Sequence, residues 1–412
     1  MRRFLTIVLM FSLLPGLSVL ASAEIEPALA DEVQAAYLDP ATDDMFDPEP
    51  LSEAVFAPAD VPAKAAILME KETGTVIYAL AEHERLAPAS VTKIMTMLLV
   101  AEAIDSGSLK LDDIVTVSAR ASAMGGSQVF LSENERMSVQ DLLKSVAVGS
   151  ANDASVALAE HLTGSEDAFV GKMNSRAKAL GMNDTIFANC TGLPAKTEHL
   201  TSAYDIAVMS RELLKHPFIR DYTTIWMDTI RNGEFGLSNT NKLVRFYPGT
   251  TGLKTGFTDE AKFCVSATAE RDGIEFIAVI LGSPSSNQRF DSAKALLSHA
   301  FALYTLADIC PEEPLAPIPV TLGEVEYVQL VVKGASKLLI EKESLNGLQR
   351  AVEIPEFVAA PVTDGQEIGR LIISNATGAI LADVPLCADR AIEKLTWGQI
   401  LLRFLRLLFV GA

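Results

Sequence analysis

"LAPASVTKIMTMLLVAEAI", residues 86–104, sets Ser90 and Lys93 one helical turn apart at the mouth of an otherwise apolar helix. Pro88 ends whatever precedes it, Ile94, Met97, Leu98 and Ala101 recur with helical period, and Gly107 stops the run. The spacing predicts Ser90 in the first turn with Lys93 above it on the same face. Taken alone, such a pair reads as a capping serine beside a solvated lysine. Ser175 and Lys178 repeat the spacing inside "FVGKMNSRAKALG", an ordinary amphipathic helix. What surrounds the pair must therefore decide its meaning.

Upstream, "AAILMEKETGTVIYAL" (65–80) alternates and turns at Glu72-Thr73-Gly74, a hairpin signal that delivers the chain to the Ser90 helix. Downstream the period is helical. Ser138 opens a helix with Asp141 three residues on, "NDASVALAEHL" and "EDAFVGKMNSRAKALG" follow, and Thr201 opens another that runs to Lys215 before Pro217. Strand-like runs come next, "GTTGLKTGFT", "AKFCVSATAE" and "IEFIAVILGS", and then a helix from Asn287 to Tyr304. Sheet elements at both ends with helices between them predict one α+β domain over 63–309, its sheet joining distant segments. A proline-rich linker begins at 310, and the short alternating runs beyond it predict a small all-β domain to residue 388.

The two ends read differently. Arg2 and Arg3, an apolar run and Ala21-Ser22-Ala23 make residues 1–23 a secretory signal peptide cleaved after Ala23. Residues 24–62 carry eleven Asp or Glu and no Lys or Arg, a self-repelling disordered lead. Loss of Arg2 and Arg3 takes the net charge from −19 to −21, which argues against nucleic acid as a partner. Cys190, Cys264, Cys310 and Cys387 lack metal-site spacing, so no metal is expected and no essential disulfide. In the tail, residues 389–412, Thr396, Gln399, Arg403 and Arg406 fall in a narrow polar stripe. Trp397, Ile400, Leu401, Phe404, Leu405, Leu408 and Phe409 cover the remainder. The longest unbroken apolar run is Leu407 to Val410, far short of the ~20 residues that cross a bilayer. This reads as an amphipathic helix lying on a membrane surface with its arginines at the headgroups, the alternative being a helix packed on the β domain.

Two more motifs complete the picture. In "SVAVGSANDASVALAEHL", Ser150-Ala151-Asn152 fills a turn between helices; S-x-N also occurs at Ser132–Asn134 and Ser285–Asn287, so it says little alone. "TGLKTGFTDEAKFCV" contains Lys254-Thr255-Gly256 leading a strand, a tripeptide found once in the chain.

Together, from about Ala65 to the C-terminus, these motifs and their surroundings ("PASVTKIMT", "GSANDASVALAEH", "GLKTGFTDEAKFC") resemble the low-molecular-weight penicillin-binding proteins, in particular serine-type D-alanyl-D-alanine carboxypeptidases. The resemblance implies a DD-peptidase/β-lactamase-like domain, an antiparallel sheet flanked by helices, followed by a β-rich domain. It implies Ser90 as acylated nucleophile, Lys93 as its base and Ser150 as proton relay to the leaving amine. Asn152 would position both the substrate amide and Lys93; Lys254 and Thr255 would hold the terminal carboxylate, and the N–H groups of Ser90 and Phe257 would meet the oxyanion. Gly256 would let the substrate approach the strand. Burial and a nearby Lys254 would bring the Lys93 pKa below its usual ~10.4 toward the working pH. No cofactor is implied. The partners implied are peptidoglycan stem peptides ending in D-Ala-D-Ala, β-lactams as covalent inhibitors, and the outer face of the cytoplasmic membrane.

Two departures from the family pattern stand out: Phe257 follows K-T-G where some relatives have a polar residue, and Ala151 stands where several have Gly. Arg289 reads equally as a carboxylate ligand or as a surface residue at a helix start. The competing functions are D,D-endopeptidase action on cross-links, a β-lactamase and a non-catalytic wall-binding scaffold.

Overall fold

The computed structural model describes residues 61–311, 314–334 and 336–410. The segment read as a signal peptide and nearly all of the segment read as an acidic lead lie outside the described residues. The predicted hairpin forms: β1 (Ala65–Glu70) pairs antiparallel with β2 (Val76–Leu80), Ala66 opposite Leu80 and Leu68 opposite Tyr78. Every residue of β1 is buried, because its other edge is paired as well. That partner comes from far along the chain, where β3 (Thr250–Thr258), β4 (Lys262–Arg271) and β5 (Ile274–Ser283) form a meander. The result is one antiparallel five-stranded sheet of order β2-β1-β5-β4-β3, with β3 on its edge.

Side chains alternate across this sheet and supply two cores. Ile67, Met69, Ile277 and Val279 face a helical layer, while Ala66, Leu68, Phe276 and Ile280 face the opposite side. The helical layer contains α1 (Lys93–Asp105), α2 (Val139–Ala147), α3 (Asn152–Thr163), α4 (Glu166–Ala179) and α5 (Ala203–Leu213). The other side is covered by α6 (Ser286–Leu303) through Phe290, Ala293, Leu297 and Phe301. Sheet residues near both ends of the domain are thus sandwiched between helices, as the alternation and period predict.

Within this layer α1 is apolar on nearly all sides: Ile94, Met95, Met97, Leu98, Val100 and Ala101 are all fully buried. A helix of that kind lies inside the domain, and Lys93 goes inside with it.

Local capping mostly follows the sequence. The Ser138 hydroxyl accepts from Asp141 N–H at 3.1 Å, as predicted. Two starts differ. Ser90 lies in a short 3-10 turn, Ala89–Thr92, and the α-helix begins only at Lys93. Helix α5 is capped by Ser202 rather than Thr201, because both backbone groups of Thr201 are already bonded to Leu86.

Beyond residue 309 the chain is β-rich. Leu330–Val332, Ile380–Ala388, Glu367–Ser374 and Gln349–Glu353 form a four-stranded sheet, and Tyr327–Val328, Ile318–Thr321 and Val358–Ala359 a three-stranded one. Ile318, Val328, Leu330, Leu371, Ile373 and Leu386 lie in their common core. Strand Tyr304–Asp308 pairs with Lys337–Glu341, so hydrogen bonding crosses the boundary drawn at 309/310. All four cysteines are unpaired thiols.

The tail helix starts at Trp397, later than the sequence boundary at 389, since Ile392 and Leu395 are hydrogen-bonded to Val362 and Leu322 of the β domain. Thr396 and Gln399 cap it reciprocally: Thr396 N–H donates to Gln399 Oε1 at 2.7 Å. Two residues of the polar stripe, Gln399 and Arg403, bond to the β domain. Gln399 Nε2 donates to Glu324 Oε1 at 2.9 Å, and Arg403 donates to the carbonyls of Gly323 and Glu324 at 3.4 and 3.2 Å. Arg403 is therefore engaged by the β domain rather than extended from it, a correction to its expected place. Trp397, Leu401, Leu402 and Phe404 are exposed instead. No helix among the described residues is long and apolar enough to cross a membrane.

Candidate active site

The Ser90 turn is squeezed between two backbones. On one side runs β3, where a Cβ on Gly256 would stand 2.9 Å from Pro88 O and 3.0 Å from Ser90 N. On the other side is Gly192, at φ +85°, where a Cβ would fall 1.8 Å from Ala89 O. A side chain at Gly192 has no room, and one at Gly256 would displace the Ser90 turn. Gly256 was expected to leave room for substrate; the crowding it relieves here is that of the Ser90 turn itself.

Lys93 reaches back along this turn. Its Nζ donates to Ser90 Oγ at 2.8 Å and to the carbonyl of Thr191 at 2.9 Å. The side chain has no solvent exposure, and burial brings its pKa from 10.5 down to about 7, against the opposing influence of Cys190 and Asp153. Lys254 was expected to help lower it, but burial is the dominant cause. The charge coupling appears on Lys254, whose pKa falls well below the usual amine range through burial first, then through Lys93 and Arg289. Lys254 Nζ donates to Thr255 O at 3.0 Å, and Thr255 Oγ1 donates to Thr240 Oγ1 at 2.7 Å.

Ser150 and Asn152 lie at the start of α3. Ser150 is buried at φ +58°, and its hydroxyl is not hydrogen-bonded to Ser90 or Lys93. Asn152 N–H donates to Ser127 O, and Asn152 Nδ2 donates to Gly125 O, both at 2.7 Å. Its buried Oδ1 has no hydrogen-bond partner among the described residues. A buried unpaired acceptor costs free energy on the order of 1–3 kcal/mol unless something arrives to satisfy it. Asp153, the next residue, is buried and accepts from the N–H groups of Val129 and Leu131 at 3.0 Å each.

Phe257 projects outward and packs on Phe263, ring centroids 4.5 Å apart. Arg289 is no surface residue, being 5% exposed. It donates to Gly256 O at 3.2 Å and to Cys264 O at 3.4 Å, under the strand that carries Lys254. A cavity of about 240 Å³ adjoins the Ser90 turn, walled by Pro88, Ala89, Gly192, Leu193 and Thr258.

The look-alike motifs separate cleanly. Ser175 and Lys178 are both exposed, and the Ser175 hydroxyl bonds back to Gly171 O at 2.9 Å. Ser285 caps α6, accepting from Gln288 N–H at 3.2 Å. His199, the one buried histidine, accepts from Ala188 N–H on Nδ1 at 3.0 Å, so its Nε2 carries the proton and donates to Thr92 Oγ1 at 2.7 Å. Burial lowers its pKa to about 4, so it is neutral at pH 7. No group of three His, Cys, Asp or Glu among the described residues could hold a metal ion.

Sequence reasoning missed the segment 189–192. Asn189 Oδ1 accepts from the N–H groups of Thr191 and Gly192 at 3.1 and 2.7 Å, folding the turn that aims the Thr191 carbonyl at Lys93. "NCTG" carried that turn signal; the carbonyl itself has no letter in a sequence.

The chain matches two family models, "D-alanyl-D-alanine carboxypeptidase" over residues 52–285 and "Penicillin-binding protein 5, C-terminal domain" over 312–394. It is 41% identical to the D-alanyl-D-alanine carboxypeptidase DacF of Bacillus subtilis over 337 residues, which cover 81% of this chain and 86% of that one. Against the carboxypeptidase DacC of Escherichia coli the identity is 31%, over 85% of this chain and 90% of that one. Among solved structures, penicillin-binding protein 5 of Haemophilus influenzae superposes with a TM-score of 0.76 at 27% identity, covering 82% of this chain and all of that one. Penicillin-binding protein D2 of Listeria monocytogenes, solved in an ampicillin-bound form, gives a TM-score of 0.55 at 31% identity over 59% of this chain and 98% of that one.

Proposed function

Since this chain belongs to the serine-type D-alanyl-D-alanine carboxypeptidase family, we propose that Ser90 is its nucleophile and Lys93 the base that activates it. The observation that carries this is the 2.8 Å contact between Ser90 Oγ and a fully buried Lys93 whose pKa lies at about 7. A lysine with that pKa is substantially neutral at physiological pH and can accept the Ser90 proton.

The steps balance as follows. Lys93 Nζ takes the hydroxyl proton while Ser90 Oγ bonds to the carbonyl carbon of the penultimate D-alanine. The carbonyl electron pair moves onto oxygen, where the N–H groups of Ser90 and Phe257 stabilise it. Collapse breaks the C–N bond, the proton passes through Ser150 to the leaving amine, and D-alanine departs. Water then hydrolyses the ester, returning the proton to the site. No metal or cofactor enters these steps.

Lys254, Thr255 and the Gly256 backbone hold the terminal carboxylate beside Phe257. An arriving carboxylate favours the charged form of Lys254, and that charge in turn favours the neutral, basic form of Lys93. Asn152, at the start of α3, positions the substrate amide. The substrate lies along the unpaired edge of β3, its acyl side toward the cavity at Leu193 and Thr258. The substrates are stem peptides ending in D-Ala-D-Ala, and β-lactams acylate Ser90. Release of D-alanine from a synthetic pentapeptide tests this directly; rapid penicillin turnover without D-alanine release would contradict it.

The exported enzyme rests on the outer face of the cytoplasmic membrane through its tail helix. The support is orientation: Gln399 and Arg403 are held by the β domain, which leaves Trp397, Leu401, Leu402 and Phe404 facing outward. A packed helix would present the reverse.

A further inference from the structure

Past Lys254-Thr255-Gly256 the edge strand β3 runs on to Thr258 and turns through Asp259 and Glu260 toward β4. Ala261 N–H donates to Thr258 Oγ1 at 3.0 Å and closes that turn, and Ala261 itself is buried. Glu260 is left exposed where it lines the cavity of about 240 Å³ beside the Ser90 turn. Most of the remaining wall comes from residues 192–200, a segment tied down at both ends. Asn189 Nδ2 donates to Leu193 O at 2.9 Å, and Thr201 exchanges backbone hydrogen bonds with Leu86.

The cavity combines apolar surface with one sign of charge. Pro88, Ala89, Leu193 and Pro194 supply apolar wall, whereas the ionised side chains lining it, among the described residues, are the carboxylates of Glu198 and Glu260. Glu198 is already paired, accepting from Arg85 Nη2 at 3.3 Å. Glu260 makes no side-chain hydrogen bond or ion pair among the described residues. His199, also in the wall, has both ring nitrogens engaged, by Ala188 and Thr92.

Substrate chemistry brings one particular group to this place. With the attacked carbonyl at Ser90 and the acyl side running along β3, the next residue is the third of the stem peptide, a diamino acid. From Gly256 to Thr258 is about 7 Å of strand, so that residue enters beside the cavity. A flexible four-carbon stem can lie on the apolar wall while its ammonium reaches the exposed carboxylate. That amine is free in an uncross-linked pentapeptide and amide-bonded once the peptide has accepted a cross-link.

We infer that this cavity is a subsite for the third stem residue and that Glu260 recognises its free side-chain ammonium, so that uncross-linked pentapeptides are preferred to those acylated there. This rests on the carboxypeptidase reading of Ser90. Glu260 meets a part of the substrate remote from the scissile bond and sets specificity without entering the chemistry.

The test compares Nα-acetyl-L-Lys-D-Ala-D-Ala, with its free ε-amine, against diacetyl-L-Lys-D-Ala-D-Ala, whose Nε-acetyl group stands in for a cross-link. Wild-type kcat/KM should favour the free amine about two- to fivefold, the range of an exposed ion pair. Glu260→Gln should bring the ratio to about one, with the loss on the free-amine peptide, and Glu260→Lys should invert it. Glu198→Gln should narrow the ratio less, because Arg85 already engages that carboxylate; a larger effect there overturns the assignment to Glu260. A wild-type ratio at or below one, or a ratio that Glu260→Gln leaves unchanged, overturns the inference. Should the variants fail to fold, salt decides on wild-type protein. The preference should fade as ionic strength approaches about 1 M, where the screening length is about 3 Å, and a ratio indifferent to salt overturns the inference. Wild-type protein that released D-alanine from neither peptide would remove the reading beneath it, whereas equal release from both overturns the subsite alone.

Discussion

The carbonyl of Thr191 accepts a hydrogen bond from Lys93 Nζ at 2.9 Å across 98 positions of sequence. It fixes the amine over Ser90 Oγ without supplying a negative charge, so the lysine is held in place while burial keeps its pKa low. A carboxylate in that place would have raised the pKa and disabled the base.

The acid limb of kcat/KM should accordingly follow Lys93. Its pKa is lowered from 10.5 to about 7. The active form is the neutral one, so activity should rise with pH through about 7 and fall as pH drops below it. A pH profile on the pentapeptide checks this; an acid limb centred near 4 would point to a carboxylate base.

Gly192→Ala and Gly256→Ala should both disable the site, by different amounts of damage to the fold. At Gly192 the new methyl would overlap Ala89 O at 1.8 Å in a left-handed backbone, so a loss of several kcal/mol in unfolding free energy, about 3 or more, is expected. At Gly256 the contacts are 2.9 and 3.0 Å, which a small shift of the Ser90 turn can relieve. Melting curves and penicillin acylation rates together separate the two: Gly256→Ala should remain folded yet acylate slowly.

Neutral His199 should make the protein sensitive to acid. Its folded pKa of about 4 lies below the ordinary 6.5, so the unfolded chain binds the proton first as pH falls. Its contribution is complete above 6.5 and lost between 6.5 and 4, by up to about 3 kcal/mol. Denaturant titrations across that window should show a shallower pH dependence in His199→Asn than in wild type.

How much of this was legible in the sequence varies with the atoms concerned. Ser90, Lys93 and the Lys254-Thr255-Gly256 strand were readable because side-chain identity, spacing and period all pointed at them. The five-stranded sheet followed from alternating runs at both ends of one domain. Backbone groups left no such mark: Thr191 O and Gly125 O matter for where the fold puts them. Arg289 was undecided because burial at a helix start depends on the sheet behind it. The tail helix was legible as amphipathic, but the direction of its polar stripe depended on the Gly323–Glu324 turn, which only the folded β domain provides.

Truncation after Thr396 should preserve folding and D-alanine release while abolishing flotation with lipid vesicles. Residues 392–395 stay hydrogen-bonded to the β domain and should be retained, which makes this a cleaner cut than one after Asp389. Because Arg403 is engaged by Gly323 and Glu324 and only Arg406 of the stripe's two arginines is left to the headgroups, binding should rest mainly on apolar area and weaken only modestly with salt. Equal flotation of full-length and truncated proteins would refute the anchor.

The central claim is that Ser90 forms the acyl-enzyme with Lys93 as base, and labelled penicillin followed by peptide mass spectrometry tests it most directly. One adduct per chain is expected on the peptide containing Ser90, absent in Ser90→Ala and formed roughly a hundred- to ten-thousandfold more slowly in Lys93→Ala. An adduct on any other residue, or one that persists in Ser90→Ala, would contradict the account.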